Sequence, residues 1–183
     1  MDKKSEFEAA LQEFVTTLQA YISSENGQWT IKGFVDIYKN VYTISSDTKI
    51  ISKILEIHIF PKLLELSEKH GYKIVLADHQ NYYPDISFVD NEDDTLRFAV
   101  DFKTTYRLPG KPHLCNGFTL GSHGKYFEDR TSTKNIQFPY GSYSGHYCLG
   151  IIYDRVDARD IDETRIFDLD SLTSITSVVG NFQ

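Results

Sequence analysis

Two short apolar runs that contain charged residues constrain this 183-residue chain more than any other feature. Residues 83–89 and 96–103 are joined by the turn-rich segment NEDDT, so we predict two neighbouring strands. Asp85 opens the first strand, and Asp101 and Lys103 interrupt the second. Because strand interiors disfavour Asp and Lys, these three charges need an explanation.

Strand geometry places the three charges near one another. Residues two apart share a face, so Asp101 and Lys103 point to one side of the strand. If the turn is centred near residues 92–94, Asp85 pairs with a position close to Asp101. Clustered carboxylates attract Mg²⁺, and a nearby lysine stabilises charge on a phosphate. The spacing alone leaves a second interpretation open, in which Asp85 is a turn residue and the other two form a solvated ion pair.

Composition describes a globular chain with one domain of ordinary size. Apolar residues make up 40%, with 12 Tyr and 12 Phe. The net charge of −7 disfavours a protein that coats nucleic acid, although a local basic cleft remains compatible with it. Two cysteines are too few for a disulfide scaffold, and no long apolar run is present. We therefore expect a cytoplasmic protein with no membrane partner.

The pattern of apolar residues, caps and breakers predicts alternating helices and strands. In order, we predict a helix over 4–22 with Phe7, Phe14 and Val15 on its apolar face, a hairpin over 27–44, a helix from Ser46 or Asp47 to Gly71, strands over 73–77, 83–89, 96–103 and 146–156, and a short strand with a helical turn over 165–175. Pro61 should kink or split the long helix.

The Gly-rich residues 104–145 are predicted to be a loop, and residues 146–156 are predicted to be a buried strand that contains Cys148. The residues His58, His70, His123 and His146 have no metal-ligand spacing, so we interpret them as structural.

Longer segments carry a family resemblance. SSDTKIISKILEIHIFPKLLELSEKHGY, HQNYYPD and AVDFKTTY resemble the EcoRV-like type II restriction endonucleases, and GFTLG, STKNIQFPY and HYCLGIIYDRV extend the match over roughly residues 35–168. These enzymes belong to the PD-(D/E)xK nuclease superfamily. The resemblance implies an α/β fold with a mixed central β-sheet flanked by helices, preceded by an N-terminal helix and hairpin. It also implies a homodimer that uses Mg²⁺, with Mn²⁺ as a substitute, to cut double-stranded DNA at a short palindrome and leave 5′-phosphate ends.

The resemblance also assigns site residues. Asp85 and Asp101 fall on the acidic metal ligands, Lys103 on the catalytic lysine, and Glu56 on a helix-borne glutamate that serves the metal site. Phe102 would offer a metal its backbone carbonyl. For Glu56, a solvated helix glutamate is an equally open interpretation.

Eight further residues are predicted to bind DNA. Amide and imidazole side chains in the loop before Asp85 suit base edges or sugars, hydroxyls after Lys103 suit phosphates, and two lysines suit phosphates by charge. These residues are His79, Gln80, Asn81, Thr104, Thr105, Tyr106, Lys49 and Lys134. A simple turn at the loop and a plain surface lysine at Lys134 are the alternatives.

The predicted organisation is a single endonuclease domain over 1–183. Residues 1–45 form the helix and hairpin through which we expect the dimer to assemble, 46–168 the catalytic core, and 169–183 a truncated C-terminal segment. The resemblance stops before the family's Gly- and Asn-rich base-reading loop, so we expect impaired or absent site-specific cleavage. Two alternative hypotheses for the function stay open. The chain is a different PD-(D/E)xK nuclease of repair or junction type, or it is a non-cleaving remnant that binds DNA or dimerises.

Overall fold

Helices and strands alternate along the chain. The structure is a computed structural model that describes residues 2–118, 125–156 and 165–183. Its elements are α1 (Lys3–Ile22), β1 (Gly33–Val35), β2 (Asn40–Thr43), α2 (Thr48–His70), β3 (Tyr72–Leu76), β4 (Ile86–Asp90), β5 (Arg97–Leu108), β6 (Lys111–Cys115), α3 (Lys125–Glu128), β7 (Gly145–Arg155), β8 (Ile166–Asp168) and β9 (Val179–Gly180), with 3₁₀ turns at Tyr140–Ser142 and Leu169–Ser174.

The strands form two sheets. One has three strands in the order β1-β2-β8, and the other has the order β3-β4-β5-β7-β9, with β6 paired to β5. The α/β class with a mixed sheet, helices and an N-terminal helix and hairpin is therefore confirmed. The chain divides into two compact units, the first made of Met1–Thr16, Phe60–Lys103 and Phe118–Gly150, and the second of Thr17–Ile59, Thr104–Gly117 and Ile151–Gln183.

An aromatic core holds the first unit together. Phe7 of α1 stacks on Phe98 of β5 with ring centroids 4.2 Å apart, and it meets Tyr72 and Phe88 edge-on. Such pairs add to the free energy that burial of the rings already supplies. These contacts fix the start of α1 on the antiparallel strands β3, β4 and β5. Val15, which the helical spacing also assigned to the apolar face, is 46% exposed, so that assignment is wrong.

The second unit is built around Trp29. Its side chain is fully buried, and its indole N–H donates to Nδ1 of His58 over 3.3 Å. Val41 of β2 and Ile51 and Leu55 of α2 are also fully buried in this unit. Because an imidazole beside a buried indole loses hydration, burial lowers the pKa of His58.

Helix α2 begins and ends as its sequence predicts. The Asp47 carboxylate accepts the backbone N–H of Lys49 over 2.9 Å, and Gly71 ends the helix with φ of 76°. A split at Pro61 does not occur, because α2 runs unbroken from Thr48 to His70. Ile59 and Leu63 are fully buried on either side of the proline, and this packing offsets the hydrogen bond that Pro61 cannot donate.

Two other predictions need correction. The region predicted to be a loop contains the end of β5 and all of β6, which turn at Gly110 with φ of 70°. Residues 119–124 of that region lie outside the described residues. Strand β7 is not buried throughout, because Cys148 and Gly150 are exposed while Leu149 and Ile151 are buried.

Among the described residues, no helix combines the length and apolarity that crossing a membrane requires.

Removal of the Phe7 ring should destabilise the protein strongly. We expect Phe7→Ala to lower the free energy of unfolding by about 3–5 kcal/mol, because the stacked ring leaves a cavity. Val15→Ala on the same helix should change it by less than about 0.5 kcal/mol, since Val15 is exposed. Urea denaturation measures both, and equal losses would contradict the described core.

The buried imidazole of His58 should make stability depend on pH. Its pKa is lowered in the folded state, so the unfolded chain binds the extra proton first and stability falls as the pH drops below about 6.5. His58→Asn keeps an acceptor for Trp29 but cannot titrate, so it should lose less stability between pH 7 and pH 5.5. His113→Asn, at an exposed site, is the control that should behave as wild type. Urea denaturation at both pH values decides the matter.

Candidate active site

The register of β4 and β5 brings Asp85 to the polar part of β5. Ile86 lies opposite Val100, so the next pair along the ladder is Asp85 and Asp101. The Asp85 carboxylate accepts the backbone N–H of Phe102 over 2.7 Å. This bond ties the residue before β4 to β5, and the structure thus brings both predicted acidic ligands to one place.

Asp101 and Lys103 share a face of β5 and form an ion pair. Their side chains are only 17% and 21% exposed, so the alternative of a solvated pair on an open strand face is wrong. The Lys103 ammonium also donates to the backbone carbonyl of Phe102 over 3.1 Å. The Lys103 ammonium therefore contacts two of the oxygens to which the family resemblance gave a role as metal ligands.

The donor set fits a hard divalent cation. Asp85 and Asp101 supply carboxylate oxygens, and Phe102 supplies a carbonyl oxygen, which are the ligand types that Mg²⁺ prefers. Within the described residues, no group of three or more His, Cys, Asp or Glu side chains is placed to hold a metal ion. Mg²⁺ is commonly held by one or two carboxylates and retains water, so two carboxylates suffice. A cation at these oxygens would compete with Lys103 for them.

An aromatic cluster packs beside the carboxylates. It consists of Tyr83, Tyr126, Tyr140, Tyr143 and His146. The cluster lies on Ala99, which points to the same side of β5 as Asp101. The hydroxyl of Tyr83 is 2.9 Å from Nδ1 of His146, and Nε2 of His146 is 3.1 Å from the carbonyl of Tyr140. The sequence analysis assigned no role to Tyr83. The high density of aromatic residues in YYPD and FPYGSYSGHY was the sequence signal that could have indicated this cluster.

Burial shifts the pKa values of Tyr83, Tyr126 and His146 in the aromatic cluster. Burial raises the pKa of Tyr83, and the charge of Asp101 adds to the effect. The same two causes raise the pKa of Tyr126 to about 12. Burial lowers the pKa of His146, so its imidazole is neutral at neutral pH. Tyr83 and Tyr126 are therefore protonated at neutral pH.

Cys148 of β7 lies within the electrostatic reach of the site. Although Cys148 is an exposed residue, its partial burial raises the pKa of the thiol, the carboxylates of Asp101 and Asp85 raise it further, and the Lys103 ammonium opposes them. Three charges that act on one thiol agree with their convergence at the polar part of β5.

The remaining predicted residues of the first unit are exposed. His79, Gln80 and Asn81 form a turn before β4, in which the N–H of Tyr82 donates to the carbonyl of His79 over 2.9 Å. Lys134 is also exposed. These side chains are accessible to a large partner, as their predicted role requires.

In the second unit, Glu56 is half-buried on α2 and pairs with Lys53 over 2.7 Å. Lys49 is exposed near the start of the same helix. The hydroxyl of Thr104 contacts that of Ser52 on this helix. The metal role of Glu56 and the phosphate role of Lys49 stay predictions.

Residues that follow Thr104 differ in access. Thr105 is buried, and its hydroxyl donates to the carbonyl of Asn116 over 2.6 Å. The strand pleat turns Thr105 inward, so the expected phosphate contact does not fit it. Tyr106 is half-buried beneath the guanidinium of Arg155, which lies 3.6 Å from the ring centroid. Sequence reasoning missed Arg155, because nothing in YDRV indicates its partner.

Comparison with known proteins agrees with this fold. The family model for restriction endonuclease EcoRV matches residues 25–183. The type II restriction enzyme EcoRV of Escherichia coli is 32% identical over 151 residues, which cover 82% of this chain and 60% of that relative. The chain belongs to the EcoRV restriction endonuclease family. It spans about 60% of the length of the relative it matches.

The Cys148 thiol should report the charge of Asp101. We expect Asp101→Asn to speed alkylation of Cys148 by iodoacetamide a few-fold at pH 8, because loss of a nearby negative charge favours the thiolate. Cys115, also exposed, is the internal reference whose rate should not change. Mass spectrometry of the two alkylated peptides measures both rates, and an unchanged ratio would contradict the convergence of Asp101 and Cys148.

Proposed function

We propose that this chain is a type II restriction endonuclease that hydrolyses phosphodiester bonds in double-stranded DNA at a short palindromic site, leaving 5′-phosphate ends. The observation that carries the proposal is the half-buried group at β5, in which Asp85 accepts the Phe102 N–H and Lys103 pairs with Asp101. Family membership supports the reaction class. A cytoplasmic location is part of the proposal.

Asp85, Asp101 and the Phe102 carbonyl would hold Mg²⁺, or Mn²⁺ in its place, and the resemblance adds Glu56 as a further contributor. When bound, Mg²⁺ supplies a Lewis acid for the phosphoryl group and lowers the pKa of a water ligand. The donor types and the two-carboxylate charge support this choice.

The chain's own residues provide charge and order. The Lys103 ammonium would stabilise the negative charge that grows on the phosphate in the transition state, and its low exposure strengthens that interaction. The Phe102 N–H keeps Asp85 oriented through a 2.7 Å hydrogen bond. A carboxylate held in this way needs little reorganisation when the substrate binds.

Accessible polar residues would bind the DNA. Lys49 and Lys134 are exposed and would contact phosphates by charge. The exposed loop of His79, Gln80 and Asn81 would contact base edges or sugars. The hydroxyls of Thr104 and Tyr106 would contact phosphates of the DNA backbone. Thr105 is left out of this group because its side chain is buried.

A homodimer formed through the N-terminal helix and hairpin is part of the proposal. The hairpin carries exposed apolar residues, with Ile37 at 89% and Tyr38 at 79% exposure, and Phe34 and Val35 are also exposed. Exposed apolar surface of this kind marks interaction sites. Two-fold symmetry in the protein suits a palindrome in the DNA.

Cleavage of supercoiled plasmid tests the function. In Mg²⁺ we expect nicked and linear products, and Asp101→Asn should lower the rate about 100-fold or more, because it removes a metal-binding charge. Asp94→Asn, in the exposed turn between β4 and β5, is the matched control that should cleave as wild type.

Three results would contradict the proposal. Equal loss in the Asp94 and Asp101 variants would remove the special role of Asp101. Preferential cutting of branched over linear duplexes would favour the repair or junction nuclease. Absence of cleavage in Mg²⁺ and in Mn²⁺ at high protein concentration, with retained DNA binding, would favour the non-cleaving remnant.

A further inference from the structure

Tyr83 is held at three points, two residues before Asp85. Its backbone N–H donates to the carbonyl of Asn135 over 2.9 Å, and its own carbonyl accepts the N–H of Gln137 over 2.8 Å. Its hydroxyl is bonded to His146 over 2.9 Å. The backbone and the hydroxyl of Tyr83 are therefore both bonded to residues 135–146, the segment that packs beside β5.

The His146 ring has one consistent hydrogen-bond assignment. The Tyr140 carbonyl can only accept, so Nε2 of His146 carries the proton of that 3.1 Å bond. Nδ1 of the neutral ring is then an acceptor, and the Tyr83 hydroxyl donates to it. Tyr140 also stacks on the imidazole with centroids 3.8 Å apart, so the ring is held in its plane. Tyr83 and His146 are thus matched donor and acceptor.

We propose that Tyr83 and His146 are positioning residues that fix the Asp85 carboxylate on the Phe102 N–H. Pro84 connects Tyr83 to Asp85, and its ring fixes φ, so little freedom separates the anchored tyrosine from the carboxylate. The carboxylate ends 2.7 Å from the Phe102 nitrogen. The hydrogen bond between Tyr83 and His146 therefore determines how long Asp85 stays in place.

The consequence for metal binding rests on the proposed function, but the positioning does not. The Phe102 amide reports the Asp85 position with no metal or DNA present, because its proton exchanges with solvent only when the bond to Asp85 opens. The amides of Phe98 and Val100 lie in the same strand and pair with β4, so they report general loosening of β5.

Hydrogen–deuterium exchange of the full chain, followed by NMR, gives the first test. In Tyr83→Phe we expect the Phe102 amide to exchange about tenfold faster, while Phe98 and Val100 stay within about twofold of wild type. An unchanged Phe102 rate, or equal acceleration of all three amides, would overturn the proposal.

Two substitutions of His146 form a matched pair. The Asn side chain of His146→Asn places its carbonyl oxygen near the position of Nδ1, so it keeps an acceptor for Tyr83. The Gln side chain of His146→Gln reaches the position of Nε2 and serves Tyr140 only. We expect fast Phe102 exchange in His146→Gln and near-normal exchange in His146→Asn. The reverse order, or fast exchange in both variants, would assign His146 a merely structural role and overturn the pairing.

Binding of Mn²⁺, measured by the loss of the free-ion EPR signal, gives the functional arm. Tyr83→Phe should raise the dissociation constant of Mn²⁺ several-fold, and the Mg²⁺ concentration for half-maximal cleavage should rise with it, while the rate at saturating Mg²⁺ changes less than about twofold. A wild-type chain that binds no Mn²⁺ would contradict the proposed function, and the exchange rates would still decide the positioning. Faster exchange of the Phe102 amide with an unchanged dissociation constant for Mn²⁺ would overturn the inference that the position of the Asp85 carboxylate controls metal binding.

Discussion

The register between β4 and β5 is the constraint on which the site depends. A slip of one residue would turn Asp101 and Lys103 to the opposite face, since side chains alternate along a strand. Phe88 and Phe98 lie opposite each other and are fully buried against α1, so a slip would expose both rings. The hydrogen bond from the Phe102 amide to the Asp85 carboxylate fixes the same register at the other end of the paired segment. Hydrophobic packing and a charged bond thus enforce one alignment.

That alignment has an electrostatic result. Asp101 and Lys103 are largely removed from water. An unpaired charge is costly in such a buried position, and the ion pair between the two side chains offsets this cost for both. The nearby Tyr83 and Tyr126 stay protonated because burial and the Asp101 charge raise their pKa values. The negative charge of the site therefore resides on two carboxylates, and this concentrates the attraction for a divalent cation. The whole-chain charge of −7 carried no information about this local arrangement.

Sequence reasoning succeeded where a local rule governs the structure. Alternation placed Asp101 and Lys103 on one face, and capping chemistry located both ends of α2 at Asp47 and Gly71. It failed at β6, because every side chain of that strand is exposed and no apolar pattern marks it. It also missed the bond between Tyr83 and His146, which joins residues 63 positions apart and follows only from the folded chain. Local rules therefore predicted which face of β5 carries Asp101 and Lys103, whereas the contacts that support these side chains required tertiary structure.

The exposed thiol of Cys148 gives the protein a built-in observation point. The chain has two cysteines, so one substitution at Cys115 would leave a single attachment position. A nitroxide placed on β7 would sense a paramagnetic ion held by the neighbouring carboxylates. Binding of such an ion beside Asp101 would then be measurable in solution without any change to Asp85, Asp101 or Lys103.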